Sequence, residues 1–338
     1  MIRPPLLREG DTVGIVSPAS PIPALRPNRF ERGIRNLAAM GFEVRAGEHA
    51  RAVSGHTAGT VEQRVSDLHA MFSDDEIRAI ICSIGGYNSN ALLDRLDYAL
   101  IRRNPKMLIG YSDPTFLLLG IQRMTGLVTF HGPTLMPQFG EPDGPHPYTE
   151  HWFRKTLMSA DAPGELRPSR LSIHEYLEWD RDDTRPRREE PHGGLQTIKP
   201  GRAEGPLVAG NLCTVAAMAG TGYFPDLDGA ILCVEVSEEE NTAWTDRYLT
   251  HLRLLGAFEK ASALVVGRTH PASGFSDETS LEEILLAATD GSDLPVATGF
   301  DFGHTYPMPT LPIGPRASVD FAGDEPTLVL IEGAVESR

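Results

Sequence analysis

Short apolar runs alternate with segments of helical spacing over the first 135 residues. TVGIVSPAS (12–20) is a continuous apolar strand running into a Ser/Pro loop. From Asn28 to Met40 the residues Phe30, Ile34, Leu37 and Met40 lie along one helical face, and Gly41 ends the helix. FEVRAG (42–47) predicts a second strand and Val61 to Phe72 a second helix, through Val65, Leu68, Met71 and Phe72. IRAIICSIGG (77–86) is a third strand closing on a glycine pair, and Asn90 to Leu96 a short helix. KMLIGYS (106–112) is a fourth strand, DPTFLLLGIQRMTG (113–126) a helix with Pro114 in its first turn, and LVTFHGP (127–133) a fifth strand.

Strands that alternate with helices and are apolar on both faces predict a parallel sheet covered by helices. The reactive loops of such sheets lie at the carboxyl ends of the strands. That rule selects Ser17–Ser20, Gly85–Asn90, Tyr111–Asp113 and His131–Pro133. The pattern breaks down from about Gly140 to Gly205, a Pro-, Arg- and acid-rich stretch too long for an ordinary connection. We read 141–205 as an irregular loop or linker that serves as a substrate loop, between an N-terminal domain, 1–140, and a C-terminal domain, 206–338. Regular structure returns with GPLVAGNL (205–212), a helix through Ala217 and the strand GAILCVEV (229–236). A helix from Arg247 to Leu255, a strand ALVVGR (263–268), a helix from Leu281 to Ala288 and a strand LPVATGF (294–300) follow. The end, TLPIG then ASVDFAG and TLVLIEG, reads as β-hairpin.

Composition narrows the function. The net charge is −15, with 46 acids against 31 bases, which disfavours nucleic acid and anionic membrane surfaces as partners. No run of 18 apolar residues predicts a membrane span, and the opening residues lack a signal peptide's apolar stretch. Cys82, Cys213 and Cys233 sit singly in apolar runs and read as small buried hydrophobes of a reducing, cytoplasmic setting.

The sharpest chemical signal is MLIGYSDPT, where a strand ends at Ser112 and a helix starts at once with Asp113-Pro114. Such a turn lifts a serine hydroxyl and aims a helix N-terminus at its surroundings. By the local pattern Ser112 is either a helix cap or a nucleophile. A nucleophile needs a base, and the base an orienting carboxylate. Of eleven histidines, His49, His56, His146 and His192 stand in polar, solvated surroundings. His304 follows a strand in the loop GFDFGHTYPMPTLPIG, and His131 in TFHGP competes with it. Glu235, inside the apolar run ILCVEV, is the carboxylate that demands a partner, whereas Glu238–Glu240 read as ordinary surface. The glycine pair of SIGGYNSN offers a backbone amide near a substrate carbonyl, or is a plain tight turn. No Gly-x-Gly-x-x-Gly follows the first strand, and no His-Glu-x-x-His or cysteine pair is present, so neither a dinucleotide nor a metal cofactor is expected.

In order along the chain, GDTVGIVSPAS, SIGGYNSNALLDRLDY, NPKMLIGYSDPT, GLVTFHGP, LVAGNL, GTGYFPDLDG, ILCVEV and GFDFGHTYPMPTLPIG resemble the LD-carboxypeptidase family of serine peptidases. The microcin C self-immunity branch is the most similar. The resemblance implies a Rossmann-like N-terminal parallel sheet flanked by helices, and a smaller C-terminal α/β domain with β-hairpin elements. It also implies a homodimer with the site near the domain junction. It makes Ser112 the nucleophile, His304 the general base and acid, Glu235 the orienting carboxylate, and the amides of Asp113 and Gly86 the oxyanion hole. Tyr87, Asn88, Asn211 and Trp179 are carried over as substrate-binding residues.

In that branch the bond cut joins an aminoacyl or peptidyl group to a nucleotide analogue; murein-recycling members instead remove a terminal D-alanine. FHGPTLMPQFGE and the long segment before GPLVAGNL favour the first reading, in which Trp179 stacks on the nucleobase or, as plain structure, anchors its loop. The acidic run after Glu235 departs from what an acidic aminoacyl group would need. Two competitors are a non-catalytic two-domain binding protein and a metal hydrolase built on His131 and His304.

Overall fold

The computed structural model describes residues 1–276 and 279–337. Its first sheet runs in the order Leu311–Ile313, Thr129–His131, Met107–Gly110, Ile77–Cys82, Thr12–Val16, Glu43–Ala46. The strands from the first 135 residues pair in parallel, as the alternation of elements required. Side chains alternate across the sheet: Ala79 and Ile81 join a core with Phe30 and Leu37 of the helix Pro27–Ala39, while Ile80 and Cys82 face the other core. Glu43–Ala46 is an edge strand and mostly exposed, so burial on both faces stops one strand short of that edge.

The second sheet has eight strands against six, ordered Gly164–Glu165, Thr327–Leu330, Arg316–Asp320, Arg202–Asn211, Ile231–Glu235, Ala263–Gly267, Val296–Phe300, Gln196–Lys199. Its four central strands are parallel and its flanks antiparallel. The C-terminal hairpin is Arg316–Asp320 with Thr327–Leu330. TLPIG departs from the expected hairpin: Leu311–Ile313 crosses back to the first sheet and pairs antiparallel with Thr129–His131.

The 141–205 stretch is also more regular than its composition predicts. It holds the helix Pro147–Leu157, with Trp152, Phe153 and Leu157 buried, and the sheet-forming strands Gly164–Glu165 and Gln196–Lys199. Prolines and charges on both sides masked an amphipathic helix of only eleven residues.

The helix Thr115–Thr125 ties the two halves together. Thr115 to Ile121 are all buried in one core that continues from Ile80 and Leu108 of the first sheet to Leu207, Val234 and Val265 of the second. Burying each large apolar side chain contributes roughly 1.5–3 kcal/mol, so this helix is held from both sides. The Thr115 hydroxyl accepts the Asn211 amide N–H at 3.2 Å, where a strand of the second sheet ends. The carboxyl ends of strands from both sheets therefore meet at the start of this helix.

Candidate active site

A cleft of about 820 Å³ opens at this junction. Ser20, Gly85–Asn88, Tyr111–Asp113, Tyr176–Leu177, Trp179, Asn211, Ser237–Glu240 and His304–Tyr306 are among the residues that line it. Three of the four loops selected by the strand-end rule contribute; His131–Pro133 does not.

Ser112 follows its strand with φ +64°, a left-handed conformation unusual for a side-chain-bearing residue. The chain turns so sharply that the helix begins three residues later, at Thr115, with Pro114 at the cap rather than within the first turn. Gly85 makes room for this turn, since a Cβ there would lie 2.8 Å from Ser112 Cβ. His304 Nε2 stands 3.0 Å from Ser112 Oγ, and His304 Nδ1 stands 2.7 Å from Glu235 Oε2. The His304 backbone N–H also donates to Glu235 Oε2, at 3.3 Å. Gly303, at φ +97°, lies so close against Glu235 that any side chain there would collide with the carboxylate.

Glu235 is fully buried at the end of its strand. Burial alone would raise its pKa, but the imidazole and its two hydrogen bonds hold it below the ordinary carboxylate value. For His304 burial works downward, and the Glu235 carboxylate more than offsets it, lifting the imidazole above the ordinary histidine value. Both shifts describe one interaction: the buried carboxylate stabilises an imidazolium.

His131, the competing base, is fully buried and packs edge-on to Tyr111 and Phe302, with neither ring nitrogen hydrogen-bonded among the described residues. Burial pushes it down to about 4 despite nearby Glu235, so it is neutral near pH 7, and the ring bonded to Ser112 Oγ is that of His304. Two histidines read as solvated are not: the His192 side chain is buried 3.2 Å from Asp301, and His146 caps the helix Pro147–Leu157. No group of three or more His, Cys, Asp or Glu among the described residues has a metal-binding arrangement.

The Gly86 and Asp113 amides have no acceptor among the described residues. The loop carrying Gly86 is pinned to the serine turn: Ser89 N–H donates to the Asp113 carboxylate at 2.9 Å, and Ser89 Oγ–H to the Asp113 carbonyl at 2.8 Å. Asn88 is left-handed at φ +71° and reaches His56, with 2.9 Å between Nδ2 and Nε2. Asn211 is occupied in the wall, accepting from Thr214 and donating Nδ2–H to Glu240. Tyr87 is exposed and donates its hydroxyl to Glu239 at 2.9 Å.

Trp179 reaches the cleft because its loop is clamped to the helix Pro27–Ala39. The Asp180 carboxylate accepts the Asn28 and Arg29 amides of the first turn, and the Arg29 guanidinium lies 4.4 Å from the Trp179 ring centre. Arg29 is 2 % exposed and pairs with Glu141 at 2.5 Å and Asp183 at 2.9 Å. Neither Arg29 nor Arg187 stood out in the sequence, because an isolated arginine carries no periodic signal. Glu238 and Glu239 are exposed, as the surface reading expects, though they line the cleft mouth; Glu240 departs from it and is buried. The turn that folds Glu240 inward joins it to Ser237, a contact that residue spacing does not reveal.

Two family models match the chain, the LD-carboxypeptidase N-terminal domain over residues 13–132 and the LD-carboxypeptidase C-terminal domain over 204–319. The microcin C7 self-immunity protein MccF of Escherichia coli is 34 % identical over 318 residues, covering 93 % of this chain and 92 % of that one. The murein tetrapeptide carboxypeptidase of Pseudomonas aeruginosa is 30 % identical over 315 residues, covering 91 % and 92 %. The structure of MccF in complex with aspartyl sulfamoyl adenosine superimposes with a TM-score of 0.90 at 33 % identity, covering 99 % of this chain and all of that one. Matched by both domain models in order and by relatives along nearly its whole length, this chain belongs to the LD-carboxypeptidase family.

Proposed function

We propose that the protein is a metal-independent serine hydrolase that cleaves the amide bond between an aminoacyl or peptidyl group and a nucleotide-like amine. The observation that carries this reading is the unbroken relay from Ser112 through His304 to the buried Glu235, at 3.0 Å and 2.7 Å, on the wall of a cleft that also presents Trp179. In this mechanism His304 Nε2 takes the Ser112 proton as Oγ attacks the carbonyl carbon. The Gly86 and Asp113 amides hold the oxyanion, on the order of 3 kcal/mol per donor. His304 returns the proton to the departing amine as the C–N bond breaks. Water then enters, gives a proton to His304, and releases the acid from Ser112. The proposal includes a homodimer and a cytoplasmic setting, as the family resemblance implies.

Trp179, with Tyr176 also lining the cleft, supplies the aromatic surface for the nucleobase, and the Arg29 guanidinium packs against the Trp179 ring. Replacing Trp179 by alanine is expected to raise KM about tenfold or more with little change in kcat, because stacking on a base is worth roughly 1–3 kcal/mol. An unchanged KM would leave Trp179 only its anchoring contact with Arg29.

The second reading, removal of D-alanine from a murein tetrapeptide, is favoured by the similarity to the murein enzyme. It needs a cation for the terminal carboxylate near Asn211, and the arginines lining the cleft are instead Arg29 and Arg187. A mass-spectrometric competition between an aminoacyl-sulfamoyl adenosine and a murein tetrapeptide decides between them, with Ser112→Ala as control. Cleavage of the nucleotide analogue alone is the expected result, and loss of D-alanine alone would overturn the substrate assignment.

A further inference from the structure

The charges lining the cleft are unevenly committed. Its two arginines are already paired, Arg29 with Glu141 and Asp183, and Arg187 with Glu141 at 3.1 Å. Glu238, Glu239 and Glu240, by contrast, have no ion-pair partner among the described residues, and no lysine lines the cleft. Glu240 is 7 % exposed. Its Oε2 accepts the Ser237 amide at 2.7 Å and Asn211 Nδ2–H at 3.2 Å, and its Oε1 has no hydrogen-bond partner among the described residues. An acceptor left empty on a nine-tenths buried carboxylate is costly unless a ligand donor fills it.

These acids lie beside the reacting groups. Glu239 accepts from Tyr87, the residue after Gly86, and Glu240 bonds Asn211 at the strand end where the Thr115 hydroxyl is held. Both Glu238 and Glu240 add to the negative potential that raises His304.

We propose that Glu238–Glu240 form the wall of the acyl subsite and select an acyl residue that carries a positive charge, such as a lysyl or arginyl group. The inference rests on the reading of Ser112 as the nucleophile, but not on the identity of the leaving amine. A cationic side chain meets three unpaired carboxylates and supplies the donor that Glu240 Oε1 lacks. An aspartyl or glutamyl group instead meets like charge, which disfavours it against a cationic acyl group.

The test compares lysyl-, leucyl- and glutamyl-sulfamoyl adenosine as substrates of the full-length enzyme. The expected kcat/KM order is lysyl, leucyl, glutamyl, with lysyl over glutamyl on the order of 100-fold. Glu239→Lys is expected to shrink or invert that ratio, and Glu239→Gln to reduce it while retaining the order. Equal rates, or preference for the glutamyl compound, overturn the inference and leave the hydrolase reading intact. If no sulfamoyl adenosine is cut, the leaving-group reading has failed. The acyl preference is then measured from labelling of Ser112 by lysyl and glutamyl diphenyl phosphonates. Faster labelling by the lysyl compound supports the inference, equal or slower labelling overturns it, and no labelling by either removes nucleophile and inference together.

Discussion

Replacing Ser112 by alanine is expected to lower kcat by about 10⁴-fold or more, while the cleft still binds substrate with little change. The expectation follows from geometry. Among the described residues Ser112 Oγ, at 3.0 Å, is the hydrogen-bond partner of His304 Nε2, and no other hydroxyl there bonds it to take over the attack. Its side chain is partly exposed at the cleft, and losing the hydroxyl opens no core cavity. Thermal stability should change little, because alanine removes one polar contact at the cleft and leaves the left-handed turn as it was. Steady-state kinetics, ligand affinity by calorimetry and labelling by a serine-directed phosphonate together check this. Residual activity within tenfold of the parent would remove Ser112 from the mechanism and leave it only its place in the turn ahead of the helix Thr115–Thr125, whose cap is Pro114.

Glu235→Gln is expected to lower kcat/KM by about 10²–10⁴-fold and to move its pH dependence. His304 must be neutral to accept the serine proton, so activity rises with pH as the imidazolium deprotonates. Glu235 holds the imidazole above the ordinary histidine value, so the parent's rising limb should lie above about 6.5. Glutamine removes the charge that opposes desolvation. Burial then dominates and pulls His304 downward, so the limb shifts to lower pH even as the plateau falls. The plateau falls because a glutamine amide can present N–H to Nδ1 and hold the wrong tautomer. The same pair contributes to stability. The contribution of raised His304 is full below about 6.5 and is lost as pH climbs through its folded value. That of depressed Glu235 is present above the ordinary carboxylate value and is lost on acidification. A pH series of kcat/KM for both proteins is the check; a limb that stays in place would mean that Glu235 does not set the His304 charge.

Much of the architecture was legible because period and punctuation reported it. Phe30, Leu37 and their helical spacing marked Pro27–Ala39, and continuous runs such as ILCVEV marked buried parallel strands. Glu235 was legible for a related reason: a carboxylate in an apolar strand end must have a partner. In the Glu238–Glu240 run Glu238 and Glu239 do face water, but Glu240 misled, because only its bond to the Ser237 amide shows that it folds back under the turn. Leu311–Ile313 misled because a three-residue strand says nothing about which sheet it joins.

By itself the sequence determined the alternating elements, the strand ends from which chemistry is presented, and the residue types of a serine, an imidazole and a buried acid, since these depend on local period and on what burial forbids. It also carried the family, through motifs spread along the chain. Tertiary structure brought His304 rather than His131 against Ser112 Oγ, seated Trp179 on Arg29, and buried Glu240 of the acidic run. Each of these depends on contacts between residues far apart in the chain, as with Ser112 and His304. Such contacts are set by how two sheets pack around the helix Thr115–Thr125, and no local pattern encodes that packing.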